Sequence, residues 1–138
     1  MNKYFTIPFL VFIILLVGCS AKEPTIVYKG EGSDWEATYN YQEISKNSYE
    51  FEILLKYKND VQELKELEEI TIEYSAGTST VGGTIPISLL NTDEQVVFKN
   101  SGAYEGVNLL HNDSKIEVFI QWGNNKDSFV LENVNNKG

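Results

Sequence analysis

The 138-residue chain has the length of one ordinary domain and a composition that excludes several partners. It carries 20 acidic and 11 basic residues, a formal net charge of −9, and no arginine. Phosphate contacts depend on Lys and Arg, so nucleic acid is not an expected partner, and the acidity is more typical of simple solubility than of cation binding.

The first segment, residues 1–18, is predicted to be an export signal. A positive charge at Lys3 precedes an apolar run from Tyr4 to Val17. A helix of that length spans about 21 Å, which is short of the ~30 Å hydrocarbon core. The sequence therefore favours a signal peptide that is removed over a membrane-spanning helix.

The apolar run ends in Leu16, Val17, Gly18 and Cys19, which resembles the lipobox of bacterial lipoproteins. The resemblance implies that the Cys19 thiol receives a diacylglyceryl group and that the peptide is cut before it. The alternative, a free or intermolecularly paired cysteine, is disfavoured because Cys19 is the only cysteine and lies at the motif position. Two acyl chains suffice for lasting anchorage. We therefore expect the membrane as a partner through this anchor, and a location at the outer face of the cell membrane.

Four segments are expected in all. They are the signal peptide (1–18), the lipidated cysteine with its tether (19–25), a single β domain (26–134) and a polar tail (135–138). Without the signal peptide the chain keeps ten lysines and twenty acidic residues, a net charge of −10.

Most of the domain alternates between apolar and polar side chains, the pattern of strands with one solvated face. In chain order, the strands are predicted at 26–29, 35–41, 49–57, 70–74, 84–90, 95–99, 116–122 and, after a hairpin loop over 123–127, at 129–131. Pro86 has no N–H, which places its strand at a sheet edge. Leucines at a spacing of three within Asp60–Glu69 predict a short helix capped by Asn59 or Asp60.

About seven short strands and one helical turn predict an antiparallel two-sheet β-sandwich of the immunoglobulin-like kind. A small closed barrel is the alternative. The alternation assigns the aromatic residues Trp35, Tyr39, Tyr41 and Trp122 to the core rather than to a carbohydrate-binding face.

Two segments carry a resemblance to a known group. Gly30-Glu31-Gly32-Ser33-Asp34-Trp35 and the hairpin that begins Ile116-x-Val118-x-Ile120-x-Trp122-Gly123 resemble small uncharacterised lipoproteins of low-GC Gram-positive bacteria such as the bacilli. Gly32 stands where that group usually has serine, and Asp127 stands near its usual glutamate. The resemblance implies an all-β lipoprotein and supplies no activity.

The sequence contains few residues of the types that form catalytic sites. His111 is the only histidine, no G-x-S-x-G motif accompanies it, and a surface histidine is the favoured interpretation. The acid groups at 50/52, 66/68/69 and 93/94 are expected on solvated faces, so a wall-active glycosidase is disfavoured. No metal or cofactor is favoured. Calcium held by Asp60, Glu63, Glu66 or Asp113 stays an alternative, although no EF-hand loop is present.

Glycine-rich stretches at Ala76–Thr84 and Ser101–Gly106 read as turns, bulges or flexible loops, and they supply the candidate binding residues Ser79, Gly82 and Tyr104. The expected function is a non-catalytic interaction domain that meets an envelope protein. The alternatives are a binding module for calcium or another envelope ligand and, third, a wall-active hydrolase.

Overall fold

The computed structural model describes residues 25–77, 79–106, 110 and 114–136, and within them the chain forms eight β-strands. The strands are β1 (Ile26–Glu31), β2 (Trp35–Ser45), β3 (Ser48–Tyr57), β4 (Glu69–Ala76), β5 (Ser79–Pro86), β6 (Val96–Glu105), β7 (Ile116–Trp122) and β8 (Asn125–Asn133). Short 3₁₀ helices lie at Val61–Glu66, Ile87–Leu89 and Val134–Asn136. No helix in the described ranges is both long and apolar enough to cross a membrane.

The strands form one antiparallel sheet in the order β5-β4-β7-β8-β1-β2-β3-β6, with β5 and β6 at its edges. β1 and β8 are joined by only two residue pairs, Tyr28↔Asn133 and Lys29↔Glu132. The other neighbouring strands pair along most of their length. The sheet is therefore two four-stranded halves joined at a short seam in its middle.

The sheet curls into a half-barrel. β2 and β4 stand four strands apart, which would separate them by about 19 Å in a flat sheet. The rings of Tyr39 on β2 and Tyr74 on β4 nevertheless have centroids 6.2 Å apart. The Asn100 side chain on β6 also donates a hydrogen bond to the Tyr74 hydroxyl at 3.0 Å. The two edges of the sheet therefore approach each other across the concave face.

Alternation along the strands fills this concave face with apolar side chains. β7 shows the pattern clearly, with Ile116, Val118, Ile120 and Trp122 buried and the residues between them exposed or half-buried. The aromatic residues assigned to the core from the sequence are all buried, which confirms that prediction. Trp35 packs edge-on against Trp122 at 5.7 Å and joins the two halves of the sheet at one end of the half-barrel.

The all-β antiparallel prediction is confirmed, but the immunoglobulin-like sandwich of seven strands is not. Eight strands share one sheet, because β8 pairs with both β7 and β1 where a sandwich would have two separate sheets. The short helix is confirmed as a 3₁₀ helix over Val61–Glu66, with Asp60 as its N-cap accepting from the Gln62 N–H at 2.9 Å. Pro86 ends the edge strand β5, as expected for a residue without an N–H.

Three segments predicted as turns, bulges or loops belong largely to strands. Residues 79–84 lie in β5 and residues 101–105 in β6. The last hairpin has a two-residue turn at Gly123-Asn124, since Trp122 already pairs with Asn125. The glycine and asparagine content suggested a longer loop at this hairpin, but a two-residue turn can be made with positive φ at its first central residue alone, and Gly123 supplies it with φ +57°.

Candidate functional site

A cleft opens on the concave face between the edge strand β5 and the opposite edge formed by β3 and β6. Its volume is about 310 Å³, at the small end of the range for ligand pockets. It is lined by Tyr39, Phe51, Tyr74, Ala76, Ser79, Val81, Tyr104 and Leu110. The lining comes from both halves of the sheet, so the cleft exists only because the sheet curls.

Aromatic rings form the walls of this cleft. Tyr39 and Phe51 stack with an interplanar angle of 2° and centroids 5.9 Å apart. Tyr74 faces them, and its hydroxyl is occupied by the hydrogen bond from Asn100. Walls of this kind bind apolar groups, while the remaining polar atoms orient them.

The Tyr39 hydroxyl is one polar group of the cleft lining that is available to a ligand. It makes no hydrogen bond with another residue that the structure describes. Burial, followed by the neighbouring Tyr74, Tyr104 and Tyr28, raises the pKa of Tyr39 well above that of a free tyrosine. The hydroxyl therefore stays protonated at physiological pH and is able to donate a hydrogen bond to a ligand.

A tyrosine cluster forms one rim of the cleft. Tyr104 stacks on Tyr49 at 5.2 Å, and its hydroxyl lies 2.9 Å from the Tyr41 hydroxyl. Burial and the hydrogen bond to Tyr104 raise the pKa of Tyr41 far above the ordinary tyrosine value. The rim is thus an aromatic surface of closely packed rings.

The cleft lies at the end of the half-barrel where the chain enters the sheet. Ile26 begins β1 and pairs with Tyr41, which pairs with Phe51, which pairs with Gly102. The cleft residues Phe51 and Tyr104 belong to this row or lie two residues from it. The Trp35–Trp122 contact marks the opposite end.

A second groove lies next to the cleft, in the space between the edge strands β5 and β6. It is lined by Ile85, Leu89, Leu90, Asn91, Glu94, Val97, Phe98 and Lys99, with a volume of about 470 Å³. On β6, Asn100 stands between this groove and the cleft, where it bonds to Tyr74. Open space therefore borders parts of both edge strands.

The structure brings together two of the three binding residues proposed from the sequence. Ser79 and Tyr104 line opposite sides of the cleft, although they belong to strands and not to loops. Gly82 pairs with the exposed Glu73 and lies on the convex face, outside the cleft. Tyr39 and Phe51 were not among the binding residues proposed from the sequence, because residues of a cleft wall alternate along a strand in the same way as core residues.

The other candidate residues do not converge. In the described ranges no three His, Cys, Asp or Glu residues are grouped closely enough to hold a metal ion. Asp60 caps its helix, and Glu63 accepts a hydrogen bond from the Tyr57 hydroxyl at 3.0 Å. Most of the acid groups weighed for a glycosidase are exposed, and Glu52 is half-buried beside Lys99 at 3.3 Å. His111, Asp113, Cys19 and the lipobox residues Leu16, Val17 and Gly18 lie outside the described residues.

Asp127 is a buried acidic residue at the opposite end of the half-barrel from the cleft. Its carboxylate accepts the backbone N–H groups of Ser33, Asp34 and Trp35 at 3.3, 3.0 and 3.1 Å. The side chain is 7% exposed. Each of these partners is a backbone N–H group at the β1–β2 turn, so the Asp127 carboxylate holds that turn against β8.

Comparisons with known proteins do not assign the chain to a family. No family model, no curated protein and no solved structure matches the chain.

Proposed function

We propose that the chain is a lipid-anchored protein at the outer face of the cell membrane, and that its β domain is a non-catalytic binding module. Cys19 is the proposed site of the lipid, which the lipobox resemblance and the small uncharacterised lipoproteins of bacilli both support. The module takes an apolar group of an envelope partner into the cleft.

The observation that carries this proposal is the cleft itself. Its lining exposes mostly apolar surface, and Tyr39, whose raised pKa keeps its hydroxyl protonated, lines the space without a hydrogen-bond partner among the described residues. Hydrogen-bonding atoms are few, as in sites that recognise shape and apolar area rather than charge.

The position of the cleft fits the anchor. Six residues separate Cys19 from Ile26, which limits their reach to about 20 Å when fully extended. Since Ile26 enters at the cleft end, the anchor would hold the cleft close to the membrane surface. Ligands presented by membrane proteins or lipids would then meet it directly.

Lipidation has a direct test in bacterial cells that express the full chain. We expect the protein to incorporate labelled palmitate and to fractionate with membranes, and we expect Cys19→Ser to lose both properties. Ser20→Ala serves as the control, because it changes a neighbouring residue and leaves the thiol. An unchanged membrane fraction for Cys19→Ser would contradict the anchor.

The cleft is testable with two matched valines. Val81 lines the cleft and Val130 lies outside its lining, and they are 40% and 42% exposed. We expect the neutral fluorophore N-phenylnaphthylamine to bind the domain with enhanced emission. Val81→Asp should lower its affinity about tenfold, since a carboxylate would border an apolar site, whereas Val130→Asp should leave affinity unchanged. Equal affinities of the unmodified domain, Val81→Asp and Val130→Asp would show that the fluorophore binds outside the cleft.

A further inference from the structure

We propose that the partner which enters the cleft is an extended cationic peptide segment, paired with β5 as an added strand. This inference rests on the proposed function, because it names the occupant of the same site. β5 is the edge that would accept it, and the space between β5 and β6 is where it would lie.

The backbone of β5 is available for pairing. β5 runs in continuous register with β4 from Glu69↔Pro86 to Ala76↔Ser79 and has no strand on its other side. In an antiparallel ladder, alternate residues direct N–H and C=O away from the neighbour. Within the described residues, no hydrogen bond reaches these outward backbone groups.

The opposite edge, β6, is less open. The Val97 carbonyl of β6 accepts the Asn91 N–H at 3.0 Å. The segment that precedes β6 thus occupies part of its edge. An added strand would therefore bond to β5 and only border β6.

β5 also lacks the usual protection of an edge strand. Natural edges carry charges, internal prolines or bulges that prevent pairing with other chains. All eight residues of β5 are uncharged, and its proline is the last of them. An uncharged edge bordered by apolar grooves is suited to strand addition.

The side chains beside β5 specify the pattern of the peptide. On the concave side, Ser79, Val81 and Ile85 border the cleft and the second groove. A Cβ on the concave residue Gly83 would have nothing within 4 Å, so there is room for an incoming side chain. Every second residue of the peptide should therefore be apolar and point inward.

On the convex side, the charge of the partner follows from Glu73. Glu73 is exposed on β4, is paired with Gly82 on β5, and forms no ion pair with another described residue. Gly82 places no side chain between Glu73 and an added strand. A lysine or arginine of the peptide would pass over Gly82 to that carboxylate, at a site whose chain has a net charge of −9.

The same charge disfavours a second copy of the chain as the occupant. Two copies paired through β5 would bring their Glu73 residues, and two strongly acidic domains, close together. A cationic partner removes this repulsion. The second copy is therefore an alternative outcome of the test.

The test uses a fluorescein-labelled peptide with four Lys-Val repeats and two N-methylated forms of it, methylated on every lysine or on every valine. Because neighbouring N–H groups point to opposite edges of a strand, only one of these forms loses the groups that bond to β5. We expect the unmodified peptide to bind by anisotropy and to slow hydrogen exchange of β5 amides. One N-methylated form should bind at least tenfold more weakly than the other.

The charge contact has its own matched pair of variants. Glu73→Gln should weaken binding of the lysine peptide about threefold at low salt, the size expected of one exposed ion pair. Glu117→Gln removes the same charge from the exposed face of β7, one strand further from β5, and should have a smaller effect.

Each contrary result is distinct. Equal binding of both N-methylated peptides would overturn strand addition and leave the apolar cleft in place. If no peptide binds but N-phenylnaphthylamine still does, strand addition is likewise overturned and the apolar cleft stands. Protection of β5 without peptide, in a protein that sediments as a dimer, would assign the edge to a second copy. Loss of both peptide and fluorophore binding would overturn the proposed function as well.

Discussion

Replacing Asp127 by alanine is expected to lower the free energy of unfolding by about 3–5 kcal/mol, because one buried and two part-buried N–H groups lose their acceptor together. A domain of this size has a total stability of about 5–15 kcal/mol. The variant should therefore lose a large part of its stability, measured by urea unfolding followed by tryptophan fluorescence. Trp35 donates one of the three bonds through its backbone N–H, so its fluorescence responds to the loss of this contact.

Glu132→Ala is the control for this prediction. Glu132 lies on the same strand, and its exposed carboxylate stands 3.5 Å from the Lys115 ammonium group. An exposed pair of this kind contributes about 0–1 kcal/mol. Asp127→Asn should fall between the two, because the amide keeps one acceptor and directs an NH₂ at the remaining donors. A loss below about 1 kcal/mol for Asp127→Ala would show that water replaces the carboxylate at little cost.

The Asp127 contact also explains a feature of the sequence motifs. The two segments for which we propose a resemblance to lipoproteins of bacilli are the β1–β2 turn and the β7–β8 hairpin, and Asp127 joins them. Both departures from that pattern, Gly32 and Asp127, are in contact: a Cβ on Gly32 would overlap the Asp127 carboxylate. Serine at position 32 is therefore incompatible with this placement of Asp127. The two segments therefore meet in a stabilising contact.

Much of the secondary structure was predictable because strand alternation is a local property. β7 has the bounds predicted for it, and the apolar sides of β2 and β3 are buried as expected except at the half-buried Phe51. The order of the strands was not predictable, since it depends on pairs distant in sequence such as Tyr28↔Asn133. Two such pairs decide whether the halves form one curled sheet or two layers.

The site was predictable only in part for the same reason. Glycine content directed attention to Ser79 and Tyr104, which do line the cleft. Tyr39 and Phe51 have the alternation of core residues, and only the gap between β5 and β6 converts their side of the sheet into a cleft wall. A position of this kind is defined by which strand is missing beside it, and no local pattern records that.

Gly82→Ala is expected to destabilise the domain by about 3 kcal/mol or more, and Gly83→Ala by only about 1–2 kcal/mol. Both glycines have positive φ, +135° and +154°, so both substitutions carry backbone strain. They differ in the space around the added methyl group. A Cβ at Gly82 would overlap the Ile72 carbonyl oxygen, whereas a Cβ at Gly83 would meet nothing within 4 Å.

The comparison of these variants by thermal unfolding isolates the steric contribution, because the conformational cost is common to both. It also connects stability with binding at the edge. β5 approaches β4 closely at Gly82, and the same absence of a side chain leaves Glu73 open to a partner. If Gly82→Ala and Gly83→Ala prove equally stable, β5 moves away from β4 at little cost, and an edge that loose would be a poor template for an added strand. A large difference would show β5 to be rigidly held, as pairing with a peptide requires.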